Sequence, residues 1–134
     1  MAEAGNGFPW HFDTNKFTVT LAIQNAEAGG AFEYAPNIRA NGENFDEVRK
    51  VLDGQSDLVV RVDLQPGDLQ LFRGRNSLHR VAPLNGTTPR YVAIISYVEE
   101  PDMVATPERC KQLYGRVLPI HYERAGLRGD DYID

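Results

Sequence analysis

Cysteine is nearly missing from this chain. Cys110 is the only one in 134 residues, which rules out an internal disulfide framework and any cysteine-rich zinc or iron–sulfur centre. A single thiol fits a reducing compartment, and its plainest role is that of a small, half-buried hydrophobe. Long apolar runs are missing too: no stretch approaches the ~20 residues of a bilayer span. Met1-Ala2-Glu3-Ala4 has neither the basic nor the apolar part of a secretory signal. We therefore expect a soluble, cytoplasmic protein with no membrane partner. No basic block offsets the net charge of -5, so a phosphate backbone would be repelled and nucleic acid is not expected as a partner. Internal repeats and low-complexity segments are also lacking.

What is present is ordinary globular material, 42% hydrophobic and 25% charged, in a length that suits one domain over residues 1–134. The residues before His11 include Gly5, Gly7 and Pro9, which is loop composition. Phe17, Val19, Leu21 and Ile23 alternate with Thr18, Thr20 and Ala22, predicting a strand buried on its apolar face and continuous with the segment around His11. Gly29-Gly30 marks a turn, and Ala31 to Tyr34 reads as a hairpin-like return strand closed by Pro36. Phe45, Val48, Val51 and Leu52 fall at helical spacing, with Asn44 as N-cap and Gly54 as the stop. Strands follow at Leu58–Leu64, Leu69–Phe72, Leu78–Val81 and Arg90–Val98, separated by Pro66-Gly67 and by the turn from Pro83 to Pro89. Thr106-Pro107 predicts a capped helix running to Tyr114 and ended by Gly115, with an exposed or frayed tail around Arg128-Gly129-Asp130-Asp131. Short strands with one or two helices imply a mainly β sandwich or jelly roll rather than a βαβ fold, with its core over about 10–98 and a helical tail over about 106–134.

The chemistry concentrates in Trp10-His11-Phe12-Asp13-Thr14 and in Leu78-His79-Arg80-Val81. In extended backbone His11 and Asp13, two residues apart, point the same way and can grip one metal ion. His79 supplies a third ligand if the sheet folds back on itself. Two histidines and one carboxylate leave about three coordination positions open, a set suited to non-haem Fe(II). A histidine beside a carboxylate is common on any surface, so the weight lies in the order and strand context of all three. The third histidine, His121, lies outside the strands and is expected to pack or to face solvent.

His11-x-Asp13, a distant His79 and then Arg90 resemble the Fe(II)- and 2-oxoglutarate-dependent dioxygenase superfamily. Pro66-Gly67-Asp68-Leu69-Gln70-Leu71-Phe72 is similar to the turn and strand that precede its distal histidine, and His79-Arg80-Val81-Ala82-Pro83 to its usual continuation. The resemblance runs from Trp10 to about Tyr97. It implies a double-stranded β-helix of cupin-like type and Fe(II) held by His11, Asp13 and His79. It also implies 2-oxoglutarate as co-substrate, its far carboxylate on Arg90. Arg90 is followed by Tyr91-Val92 rather than by the serine that one large branch places two residues later. Halogenating members lack the carboxylate ligand, leaving room for chloride, so Asp13 implies hydroxylation or a related oxidation.

The expected substrate is a small molecule such as an amino acid or natural-product intermediate. Trp10, Glu33, Arg73 and Arg75 are candidate substrate contacts, with Tyr34 and Arg39 at the pocket rim. Members of the superfamily usually carry an additional strand and helices before the first ligand, so a homodimer or a homologous partner subunit is expected to supply the missing wall. Two other readings remain: a non-catalytic subunit of a homologous enzyme, and a cupin-like metalloenzyme that does not use 2-oxoglutarate.

Overall fold

The computed structural model describes residues 5–125 and 130–133. The alternating segments form strands β1 (Phe8–His11), β2 (Phe17–Gln24), β3 (Ala28–Gly29), β4 (Phe32–Ala35), β5 (Val60–Val62), β6 (Leu69–Phe72), β7 (Leu78–Val81), β8 (Leu84–Asn85) and β9 (Tyr91–Tyr97). Three short helices, α1 (Phe45–Leu52), α2 (Pro107–Tyr114) and α3 (Pro119–Glu123), complete a mainly β protein. All strand pairings are antiparallel, in sheets ordered β1-β7-β4-β5, β6-β2-β9 and β3-β8.

The first two sheets face each other. The Phe72 ring of β6 lies 4.9 Å from the Phe32 ring of β4 and 4.9 Å from the His79 ring of β7. Behind the first sheet, on the side away from that gap, Phe12, Ala35, Leu78, Ile38 and Val51 form the hydrophobic core, with α1 closing it through Val48 and Val51.

Helix α2 follows its local signals. Thr106 accepts a hydrogen bond from the Arg109 amide at 3.2 Å, Pro107 occupies the first turn, and Gly115 ends the helix at φ 70°. Asn44 caps α1 differently from expectation: it sits at φ 51° and its side chain reaches back to the Ile38 carbonyl instead of the helix.

Three sequence expectations are corrected. β1 and β2 are not one continuous strand, because the chain leaves the first sheet after His11 and enters the second at Phe17. β4 does not return along β2 but pairs with β5 and β7, and the intervening Ala28–Gly29 pairs with β8. The burial of β2 is inverted: Thr18 and Ala22 are buried, while Leu21 and Ile23 are exposed. The polar face looks into the gap between the sheets because a hydroxyl is used there. In the tail Asp130 is exposed, as expected, and is held by buried Arg75 at 2.8 Å, whereas Arg128 and Gly129 lie outside the described residues. Among the described residues no helix is long and apolar enough to cross a membrane.

Candidate metal centre

Antiparallel pairing of β1 with β7 sets His11 directly across from His79, ring centroids 4.1 Å apart. Each imidazole is clamped by the carbonyl two residues before it: His11 Nδ1 is 2.8 Å from the Pro9 oxygen and His79 Nδ1 2.8 Å from the Ser77 oxygen. A carbonyl can only accept, so each Nδ1 carries the hydrogen and each Nε2 is left as the ligating atom. Both Nε2 atoms face one oxygen, Asp13 Oδ1, at 3.5 Å from His11 and 3.4 Å from His79. The three ligand atoms lie within 4.8 Å of one another, a group that can hold a metal ion.

Asp13 is not on a strand, contrary to the extended-backbone expectation. It sits in the crossover between the sheets, where its amide donates to the Gly74 carbonyl at 3.0 Å. Its other oxygen, Oδ2, accepts from the Thr18 hydroxyl at 2.5 Å. Burial alone would raise this carboxyl's pKa, but the adjoining His11 and His79 rings and the hydrogen bond from Thr18 hold it well below the usual carboxylate range. Burial pushes His11 below its ordinary value despite the opposing pull of Asp13. An ionised carboxylate and a neutral imidazole are the forms that bind metal.

Three supporting residues escaped the sequence reading, and a fourth, Arg75, was read there as a substrate contact. Thr18 was assigned to the solvent face of its strand by the alternation, and only the inverted burial reveals it. Gly74 leaves no room for a side chain, since a Cβ there would meet Asp13 Oδ2 at 1.9 Å. Arg109 of α2 donates to the Phe12 carbonyl at 3.1 Å, and Arg75 donates to the Asp13 carbonyl at 3.3 Å. Two arginines remote in sequence thus brace consecutive peptides of the ligand crossover. No local motif announces such long-range backbone contacts.

Arg90 precedes β9 and lines a cavity of about 340 Å³ with Asn25, Gly30, Phe32, Arg61 and Gln65. Its guanidinium has no hydrogen-bond or ion-pair partner among the described residues, and burial lowers its pKa. The three metal-ligand candidates are not in this lining. Phe32 connects the two places, since its ring also lies 5.6 Å from that of His79.

The remaining candidates are scattered. Trp10 packs behind the sheet against the core, its ring beneath the Arg80 guanidinium at 4.7 Å, so it does not wall the metal centre. Glu33 is paired with Arg80 at 2.7 Å. Arg75 is buried, its charge engaged by Asp130 and its Nη2 by the Tyr132 carbonyl at 2.6 Å, and its place is behind the ligand crossover. Arg73 is exposed and borders a second cavity of about 230 Å³ together with Thr14, Lys16, Glu99 and Glu100. Tyr34 is the register neighbour of His79, while Arg39 is buried with its guanidinium 3.5 Å from the Phe12 ring. His121 accepts from the Leu118 amide within α3.

A family model described as halogenase D matches residues 1–114. The chain belongs to the halogenase D family. Halogenase D membership suggests an enzyme and is compatible with iron at His11, Asp13 and His79. The chain is also 29% identical over 86 residues to polar flagellin B/D of Vibrio parahaemolyticus serotype O3:K6 (strain RIMD 2210633), a match covering 64% of this chain and 22% of the flagellin. The chain thus spans about a fifth of that relative's length, and a likeness of that extent assigns no family.

Proposed function

We propose that this halogenase D family protein is an Fe(II)- and 2-oxoglutarate-dependent oxygenase of the double-stranded β-helix type. In this reading it hydroxylates, or oxidises in a related way, a small molecule. The observation that carries the reading is the convergence of both Nε2 atoms on Asp13 Oδ1, with both Nδ1 atoms tied to backbone carbonyls. Two lone pairs and an anionic oxygen aimed at one point repel one another unless a cation lies between them.

When bound, iron supplies dioxygen activation, with 2-oxoglutarate oxidised to succinate and carbon dioxide as the source of electrons. The chain's own residues do the rest. His11, Asp13 and His79 would hold the metal, and Thr18 and Gly74 keep the carboxylate in place. Arg90, a half-buried cation with no ion-pair partner among the described residues, in a cavity beside Phe32, is suited to the far carboxylate of the co-substrate. Phe32 and Phe72 cover the His79 ring with apolar surface and keep water from that side.

Halogenation is the second reading, favoured by the family's description. Against it stands Asp13, because a carboxylate fills the position that a chloride ion would need. Purified protein with Fe(II), ascorbate and 2-oxoglutarate should form succinate at a rate independent of chloride, and His79→Ala should abolish it. Chloride titrated into the anaerobic Fe(II)–2-oxoglutarate protein should leave its weak visible absorption unchanged. A chloride-dependent shift would support the halogenase reading. Intact metal binding without succinate would point to a non-catalytic subunit.

A further inference from the structure

The side of the β6-β2-β9 sheet that looks away from the metal centre carries Phe17, Val19, Leu21 and Ile23 from β2, Leu69 and Leu71 from β6, and Ala93, Ile95 and Tyr97 from β9. None of these nine side chains is charged. Leu69 is 67% exposed, Leu71 64%, Ile23 54%, Tyr97 54%, Ile95 50% and Leu21 37%. Scaled by those exposures the six offer roughly 600 Å² of surface, at the top of the ~300–600 Å² range of the largest patch on a typical monomer.

We propose that this face is the interface of a homodimer, occupied by the same face of a second copy. The area argues for it, since a stable standard interface takes about 800 Å² from each partner. Symmetry argues for it as well. β2 is the middle strand, so a two-fold axis along it lays Leu71 of one copy over Ile95 of the other and Leu69 over Ala93, while Val19 and Leu21 meet their own counterparts. Leu69 then sits against the small Ala93, with the sheets ~10 Å apart, as in face-to-face sheet packing. The chain's net charge of -5 opposes self-association elsewhere on the surface, whereas this face has no charge to bring together. The interface leaves the ligands free, because Thr18, Thr20 and Ala22 on the other side of β2 face the gap.

The test is sedimentation of the full chain from about 1 to 200 μM, compared with Leu71→Lys. The expected result is a dimer for the native chain and a monomer for Leu71→Lys, with metal binding and far-ultraviolet circular dichroism unchanged. To guard against a misfolded variant, Leu21→Cys should be joined to its counterpart by a short bis-maleimide cross-linker, and Phe45→Cys, exposed on α1, should not. Three results would overturn the proposal: a native chain that is monomeric throughout, open-ended aggregation, or a dimer that Leu71→Lys leaves intact and Leu21→Cys does not cross-link.

Discussion

Replacing Gly74 by alanine adds one methyl group and should disable the metal centre. An alanine Cβ would lie 1.9 Å from Asp13 Oδ2, 2.6 Å from Cγ and 2.9 Å from Cβ. Carbon–oxygen contacts settle near 3.3 Å, so the carboxylate must retreat by about 1.4 Å. The carboxylate is rigid, hence Oδ1 moves with Oδ2, and metal–oxygen bonds tolerate only about ±0.2 Å. Retreat of the loop instead would stretch the 3.0 Å bond from the Asp13 amide to the Gly74 carbonyl. Affinity for Fe(II), or for Co(II) as an air-stable probe, should fall by roughly 100-fold or more, beyond the 10–100-fold typical of removing a supporting group. Titration calorimetry under anaerobic conditions measures it. Asp13→Gly provides the control, because without the side chain the added methyl has nothing of Asp13's to strike. Gly74→Ala should then cost nothing further in affinity or stability, and the two substitutions should be strongly non-additive. Native metal affinity in Gly74→Ala would refute the geometry from which the site is argued.

Thr18→Val keeps the shape of the side chain but removes the hydroxyl from Asp13 Oδ2, and should lower metal affinity about 10–100-fold in the same titration. Arg90→Ala should leave metal binding intact and weaken 2-oxoglutarate at least ~100-fold, the loss of two charge-assisted hydrogen bonds of ~1.5–3 kcal/mol each; unchanged affinity would favour an oxygenase with another co-substrate. Thr106→Ala removes the α2 cap and should cost about 1 kcal/mol in urea unfolding with no change in metal affinity. Asp130→Ala withdraws a carboxylate from Arg75, which braces the Asp13 carbonyl, and should cost about 1–2 kcal/mol with a measurable loss of metal affinity.

The elements most legible in the sequence were those whose signals are local. Leu69–Phe72 and Leu78–Val81 stand where alternation and turn residues put them, and α2 begins and ends on its Thr-Pro and Gly signals. The grouping of His11, Asp13 and His79 was also legible, because residue type, order and spacing carry it without the path between. Partner choice among strands was not. Nothing in Phe8–Ile23 says that the chain changes sheet at Phe12–Lys16, since extended backbone looks alike whichever neighbour it pairs with. Period-two alternation separates two faces but does not say which is inside. For β2 the apolar face was taken as buried, and the site lies on the other. Arg75 shows the same limit, because an arginine in a loop reads as solvated until a distant Asp130 and the Asp13 carbonyl are seen to hold it.

Family membership and the proposed ligand set pull in different directions here, and the carboxylate's surroundings are what favours the proposed reading. A carboxylate kept only by chance would need no partner, yet Asp13 has the Thr18 hydroxyl on Oδ2, both imidazoles on Oδ1, a bare glycine against its side chain and an arginine on its carbonyl. The hydroxyl, the imidazoles and the glycine each answer to this side chain, whereas the arginine holds the backbone that carries it. Asp13→Gly would leave a cavity of about one carboxylate, lined by Thr18, whose hydroxyl can donate to a halide as readily as to an oxygen. A site of this kind is thus one substitution from the geometry a halide needs, and Asp13 determines on which side of that boundary the protein lies.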